Sequence, residues 1–173
     1  MEFLYFLESI RCPALDAVFR FITELGGETV YMALAIAVYW CVSKGLGFYI
    51  LTTGFVGTIA NQFMKLCFRI PRPWVLDPDF TIVESARAGA TGYSFPSGHT
   101  QNAFSSFGCL GMWTKRGWRV LCFAIVVLIG LSRMYLGVHT PLDVGVAFAM
   151  GLVLILVLYP LFRDIEQHPK RMY

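Results

Sequence analysis

The chain has little charge. Only 14% of its 173 residues are Asp, Glu, Lys or Arg, too few to clothe a water-soluble domain built from the remainder. The net charge of +3 is too small to imply a nucleic-acid partner. Cysteine is scarce and dispersed: no two of Cys12, Cys41, Cys67, Cys109 and Cys122 stand close enough to suggest a metal knuckle. An odd number does not describe a disulfide framework either, so no structural metal or disulfide scaffold is expected. The first twenty residues lack the basic leader and small-residue cleavage site of a signal peptide, carrying Glu2 and Glu8 instead, and are expected to stay on the protein. Without a linker, repeat or low-complexity tract, residues 1–173 read as a single domain.

Apolar residues dominate. They make up 57% of the chain, with a mean hydropathy of +0.62. Long apolar runs occupy Thr29 to Val42, Leu46 to Leu66, Val120 to Leu131 and Leu142 to Leu161. A span needs roughly 20 residues, so the first and third require their flanks. So many runs in a short chain predict an all-α, polytopic transmembrane helical bundle, with crossings at about residues 28–43, 45–66, 96–114, 118–135 and 141–161. Residues Phe3 to Ile22 mix apolar side chains with Glu8, Arg11, Asp16 and Arg20 and contain Pro13. They read either as interfacial amphipathic helices or as a sixth crossing.

Basic residues orient the bundle. Lys44, then Lys115, Arg116 and Arg119, then Arg163, Lys170 and Arg171 fall on one side of the expected membrane, and the positive-inside rule makes that side cytoplasmic. The opposite side receives the long stretch from Cys67 to Phe95 and the short connection from Leu136 to Thr140. Pro71, Pro73, Pro78, Gly89 and Gly92 argue against a continuous helix in the first of these. A structured loop of that length is commonly a functional element.

Two helix starts stand on that same edge. In Pro96-Ser97-Gly98-His99, Ser97 is placed to cap a helix running from Gly98 to Trp113, whose polar side carries Gln101, Asn102, Ser105 and Ser106. In Thr140-Pro141-Leu142-Asp143, Thr140 caps, Pro141 takes the first helical position and Asp143 reciprocates from the third. Capping alone accounts for Thr140 and Asp143. Lys65, Arg72 and Arg133 also reach this edge, together with His99 and His139. Three cations, two histidines and a carboxylate at one depth would repel or stay wet without an anion between them.

Phosphate fits as that guest. Lys65, Arg72 and Arg133 suit its non-bridging oxygens, the arginines as directional forks and the lysine as a point charge. Ser97 offers a hydroxyl, and Gly98 opens the helix start where amide N–H groups favour an anion and the backbone is accessible. His139, its far nitrogen held by Asp143, is the expected nucleophile; His99 is the expected acid for the leaving oxygen and then the base for water. Arg87 reads first as a solvent-facing loop cation, with contact to a second phosphate as the alternative.

Three motifs now stand in order: Lys65, six residues, Arg72-Pro73; Pro96-Ser97-Gly98-His99; and Ser132-Arg133, five residues, His139, three residues, Asp143. Spread over about half the chain, they resemble the type 2 phosphatidic acid phosphatase superfamily, which also contains vanadium-dependent haloperoxidases. The resemblance implies a membrane phosphatase working through a phosphohistidine, without a required divalent metal or other cofactor, at the extracytoplasmic membrane edge of a bacterial cytoplasmic membrane. It also implies six transmembrane helices. The implied substrate is a membrane lipid phosphate or diphosphate, such as undecaprenyl diphosphate, phosphatidic acid or phosphatidylglycerol phosphate, with water as the second reactant. A vanadate haloperoxidase and a non-catalytic phospholipid-binding or transport module are the rival readings. The short apolar chain argues against the first, and the complete set His99, His139 and Asp143 against the second. Oligomeric state is left open.

Overall fold

A computed structural model of the chain describes residues 1–167; Lys170 and Arg171, two of the residues used above to orient the bundle, lie outside that range. Proline and glycine set the first boundaries. Helix α1 (Glu2–Ser9) stops short of Pro13, which occupies the first turn of α2 (Pro13–Glu24), where a missing N–H is tolerated. Helix α3 (Glu28–Cys41) starts after Gly26 and Gly27 and meets α2 at 45°. A Cβ on Gly26 would stand 2.7 Å from Ile129 Cγ2 and 2.8 Å from the carbonyl oxygen of His99. The bend between α2 and α3 is therefore packed directly against the start of the helix that carries His99.

Ser43 caps α4 (Lys44–Phe68), its hydroxyl accepting from Leu46 N at 3.1 Å. The proline-rich stretch that follows holds only a short helix, α5 (Pro73–Leu76), and a 3₁₀ turn (Glu84–Ala86). Ser97 and Gly98 open α6 (Gly98–Ala103), as the motif predicts. The expected uninterrupted helix to Trp113 is modified, since a π turn (Phe104–Gly108) separates α6 from α7 (Cys109–Trp113). Ser105 and Ser106 donate there to the carbonyls of Gln101 and Asn102, at 3.1 and 2.8 Å, competing for acceptors of the helix ladder. Helices α8 (Arg116–Tyr135) and α9 (Pro141–Gln167) complete the fold. The described residues contain helices and turns but no strand.

By length and apolarity, α8 and α9 can each cross a membrane, and the bent pair α2 and α3 makes a third candidate. Fewer elements thus qualify than the apolar runs suggested. Helix α4 is long enough at 25 residues but not apolar enough to qualify by itself, helix α3 has 14 residues, and the run 98–113 is divided; the last two are shorter than the roughly 20 residues a straight span requires. Large apolar side chains nevertheless face outward, including Trp40, Ile59, Phe63, Trp118 and Val157, as expected of a surface solvated by lipid rather than water.

Helix α4 lies at the centre, packed against α3, α6 and α9, while α1 and α2 lean on α8. Tyr49, Ile50, Phe104, Val126, Ile129 and Ile155 form the main core. A second cluster, Ala86, Ala90, Tyr135, Leu136 and Val138, lies under the 69–94 stretch and binds that stretch to the α8–α9 turn. Val83 N donates to Leu136 O at 3.2 Å, and Arg11 of the N-terminal segment donates to Tyr135 O and Thr81 O at 3.0 and 2.8 Å. The turn needs Gly137, whose φ of +80° strains any residue with a Cβ.

Candidate active site

The α8–α9 turn presents His139 to the end of α4 and the beginning of α6. Between them lies a pocket of about 210 Å³ lined by Lys65, Arg72, Gly98, His99, Arg133 and His139, among others. That volume is below the usual range for a drug-sized ligand, roughly 300 Å³ upward, and suits a headgroup rather than a tail. Five separate elements thus deliver the expected basic and histidine residues to one cavity.

Arg72 holds the centre. Its Nε donates to Gly92 O at 3.1 Å and its Nη2 to Thr91 O at 2.8 Å; Nη1 donates to Val138 O at 2.9 Å and stands 3.0 Å from His139 Nε2. Arginine cannot accept a hydrogen bond, so His139 Nε2 must carry its lone pair and Nδ1 its proton. Nδ1 faces Asp143 Oδ2 and Ser94 Oγ, each at 3.4 Å. Burial drives the His139 pKa well below the usual histidine value; Asp143 opposes this, while the charges of Arg133 and Arg72 push in the same direction. The imidazole is neutral, with its lone pair toward Arg72 and the pocket. Arg72, lowered to about 10 chiefly by burial, remains a cation at neutral pH.

Asp143 serves two structures at once. Its Oδ2 accepts from Thr140 N at 2.7 Å and its own N donates to Thr140 Oγ1 at 3.2 Å, which completes the predicted capping box. The same oxygen accepts from Ser94 Oγ and faces His139. Ser94 is fully buried and was missed in the sequence. Only its place just before Pro96-Ser97-Gly98-His99 hinted at it, because its partner Asp143 lies 49 positions away.

Lys65 reaches the pocket, but its ammonium donates to the carbonyls of Tyr93, Ser94 and Pro96 at 2.8, 3.3 and 2.8 Å. It holds the approach to α6 as well as placing a charge in the pocket. Arg133 is buried, donates from Nη1 to Thr23 Oγ1 at 2.8 Å and leaves Nε unpartnered. Thr23 is another residue that no local pattern signals. Among the described residues none hydrogen-bonds the His99 ring.

One expectation changes. Ser97 does not line the pocket: it is fully buried, and its hydroxyl accepts from Thr100 N at 3.4 Å and Thr100 Oγ1 at 3.0 Å. It shapes the helix start, and its own N–H donates to Asp143 O at 3.1 Å, tying that start to α9. Arg87 pairs with Glu84 through two 2.9 Å bonds, lies over Trp74 and also stays outside the pocket. The surface-cation reading holds for it. Gly98 does line the pocket, and a Cβ there would meet no protein atom, so its bareness leaves room for a guest rather than for packing.

An all-helical, lipid-facing bundle with a buried basic pocket and a carboxylate-backed neutral histidine defines a class of membrane protein built to handle a phosphate-like oxyanion. The chain belongs to the PAP2 superfamily, whose sequence profile matches residues 43–167. It is 30% identical over 160 residues to phosphatidylglycerophosphatase B of Bacillus subtilis (strain 168), covering 84% of this chain and 74% of that one. It is 31% identical over 145 residues to the undecaprenyl-diphosphatase BcrC of the same organism, covering 81% and 71%. The crystal structure of a transmembrane PAP2 type phosphatidylglycerolphosphate phosphatase from Bacillus subtilis superposes with a TM-score of 0.79 at 26% identity, over 95% of this chain and 85% of that one.

Proposed function

We propose that this protein is a membrane phosphatase that removes the terminal phosphate of a lipid phosphate or diphosphate through a phosphohistidine on His139. The observation that carries the reading is the contact of Arg72 with His139, which keeps Nε2 unprotonated inside a basic pocket. Family membership and two lipid phosphatase relatives, matched over 74% and 71% of their own lengths, support it.

Phosphate enters between Lys65, Arg72, Arg133 and the amide at Gly98, and Arg72 Nη1 turns from His139 to a phosphate oxygen. Ser97 supports this cradle by fixing the start of α6. Nε2 then attacks phosphorus in line with the lipid oxygen, the P–O bond breaks, and His99 supplies the proton that the leaving oxygen takes. Asp143, with Ser94, holds the Nδ1 proton and stabilises the positive charge that grows on the ring. Water, deprotonated by His99, next attacks the phosphohistidine, releasing phosphate and restoring both histidines. The residues alone can carry each proton, and no metal or organic cofactor is assigned a step.

The same reading treats residues 1–173 as one domain. It joins α2 with α3, and α6 with α7, as bent or divided crossings, giving five spans with α4, α8 and α9, and leaves α1 at the interface. Lys44 and the cluster Lys115, Arg116 and Arg119 then face the cytoplasm of a bacterial cell, and the pocket opens on the extracytoplasmic side of its cytoplasmic membrane.

The test is phosphate release from a panel of lipid monophosphates and diphosphates in EDTA, by the intact protein and by His99→Ala, His139→Ala and Asp143→Asn. Release by the intact protein and its loss in His139→Ala is expected, with labelled phosphate trapped on His139 in His99→Ala. No release by the folded intact protein, or full release after His139 replacement, defeats the mechanism.

A further inference from the structure

The pocket extends beyond its basic cluster, and the extension has a different chemistry. Thr58 and Gln62 of α4, Gln101 and Asn102 of α6, and Glu28 of α3 line it. None of these is a cation. At 1.5 Å per residue, Thr58 lies about 10 Å along α4 from Lys65, so the wall leads away from the phosphate site toward the middle of the helix. Beside this polar row runs the outward face of Phe55, Ile59, Phe63 and Leu66, each more than half exposed.

Gln101 is 1% exposed, yet neither Oε1 nor Nε2 has a partner. It fits against α4 because residue 57 is glycine; a Cβ there would overlap the Gln101 amide. A buried amide left without both donor and acceptor contacts is destabilising. Thr58 and Gln62 are exposed beside this apolar stripe, and a surrounding membrane would leave them without water. Polar groups in such a place mark a ligand path.

We infer that Thr58, Gln62, Gln101 and Asn102 bind the neutral, oxygen-bearing unit next to the substrate's phosphate, a glycerol or sugar, and so select phosphomonoesters of glycerolipids or glycolipids over polyprenyl diphosphates. This rests on the phosphatase reading above and deepens it by naming the substrate class. A hydroxyl both donates and accepts, and so satisfies both ends of an amide; ester oxygens accept from its NH₂ group. A polyprenyl tail is hydrocarbon from its first carbon and leaves the amides unpaired. The inner phosphate of a diphosphate takes the place of that unit, offers acceptors almost exclusively and brings negative charge toward Glu28.

The test measures phosphate release in mixed micelles from phosphatidylglycerol phosphate, a lipid-linked sugar phosphate, undecaprenyl diphosphate and undecaprenyl monophosphate. The last separates the effect of the tail from that of charge. For the intact protein, kcat/KM on the glycerol or the sugar substrate is expected to exceed that on either polyprenyl substrate by at least about a hundredfold. Thr58→Val and Gln62→Leu should each lower this ratio about tenfold, mainly through KM of the favoured substrate. Gln101→Leu risks the packing against Gly57, so the near-isosteric Thr58→Val carries the test. A ratio at or below one, or a ratio unmoved by both variants, overturns the selectivity while leaving the phosphatase intact. Release from none of the four lipids overturns the phosphatase reading and this inference with it.

Discussion

Arg72 Nη1 donates to His139 Nε2 across 3.0 Å, and this one contact sets the protonation state of the proposed nucleophile. It also covers the lone pair, so the arginine must move to phosphate before attack. Arg72→Lys keeps a charge but loses the fork that joins Thr91, Gly92, Val138 and His139. Its kcat/KM is expected to fall by roughly 100-fold or more, measured as phosphate release; activity within about threefold of the intact protein would rule out the fork as a requirement.

Ser94 offers a test of positioning. Ser94→Ala removes the hydroxyl between Asp143 and His139 without touching the pocket. We expect kcat to fall about tenfold with little change in KM, and Ser94→Thr to restore part of it. A change confined to KM would contradict the assignment.

The neutral state of His139 has a consequence for stability. In the unfolded chain a histidine takes up a proton near pH 6.5, whereas the folded site refuses one until a much lower pH. The unfolded state therefore binds more protons below about pH 6.5, and stability falls as pH falls, by up to roughly 1.4 kcal/mol per pH unit from this residue. Thermal unfolding in detergent at pH 7.5 and 5.5 should show a loss of Tm on acidification that is smaller in His139→Gln. Equal losses in the two proteins would refute it.

Gly26 links the N-terminal bend to the site. In Gly26→Ala the new methyl meets Ile129 Cγ2 at 2.7 Å and His99 O at 2.8 Å, and a backbone oxygen yields only if His99 moves with it. A destabilisation of roughly 1–3 kcal/mol is expected, together with a drop in kcat measured below the lowered Tm. An unchanged Tm and kcat would show that the bend does not position His99.

Much of this protein is legible in one dimension. The apolar runs specify a helical membrane bundle because hydrocarbon leaves no other partner for the backbone. Ser97 and Thr140 mark their helix starts because capping is local, and the motif residues Lys65, Arg72, His99, Arg133, His139 and Asp143 stand out because such groups need an anion or one another. Packing between distant segments settled the rest. Which proton His139 carries depends on Arg72, 67 positions away; Ser94 and Thr23 matter through partners 49 and 110 positions distant. Ser97 turned inward rather than to the pocket, and Gln101 was left unpaired beside Gly57, because side-chain direction and burial are set by the packing of α4, α6 and α9, which no local pattern encodes.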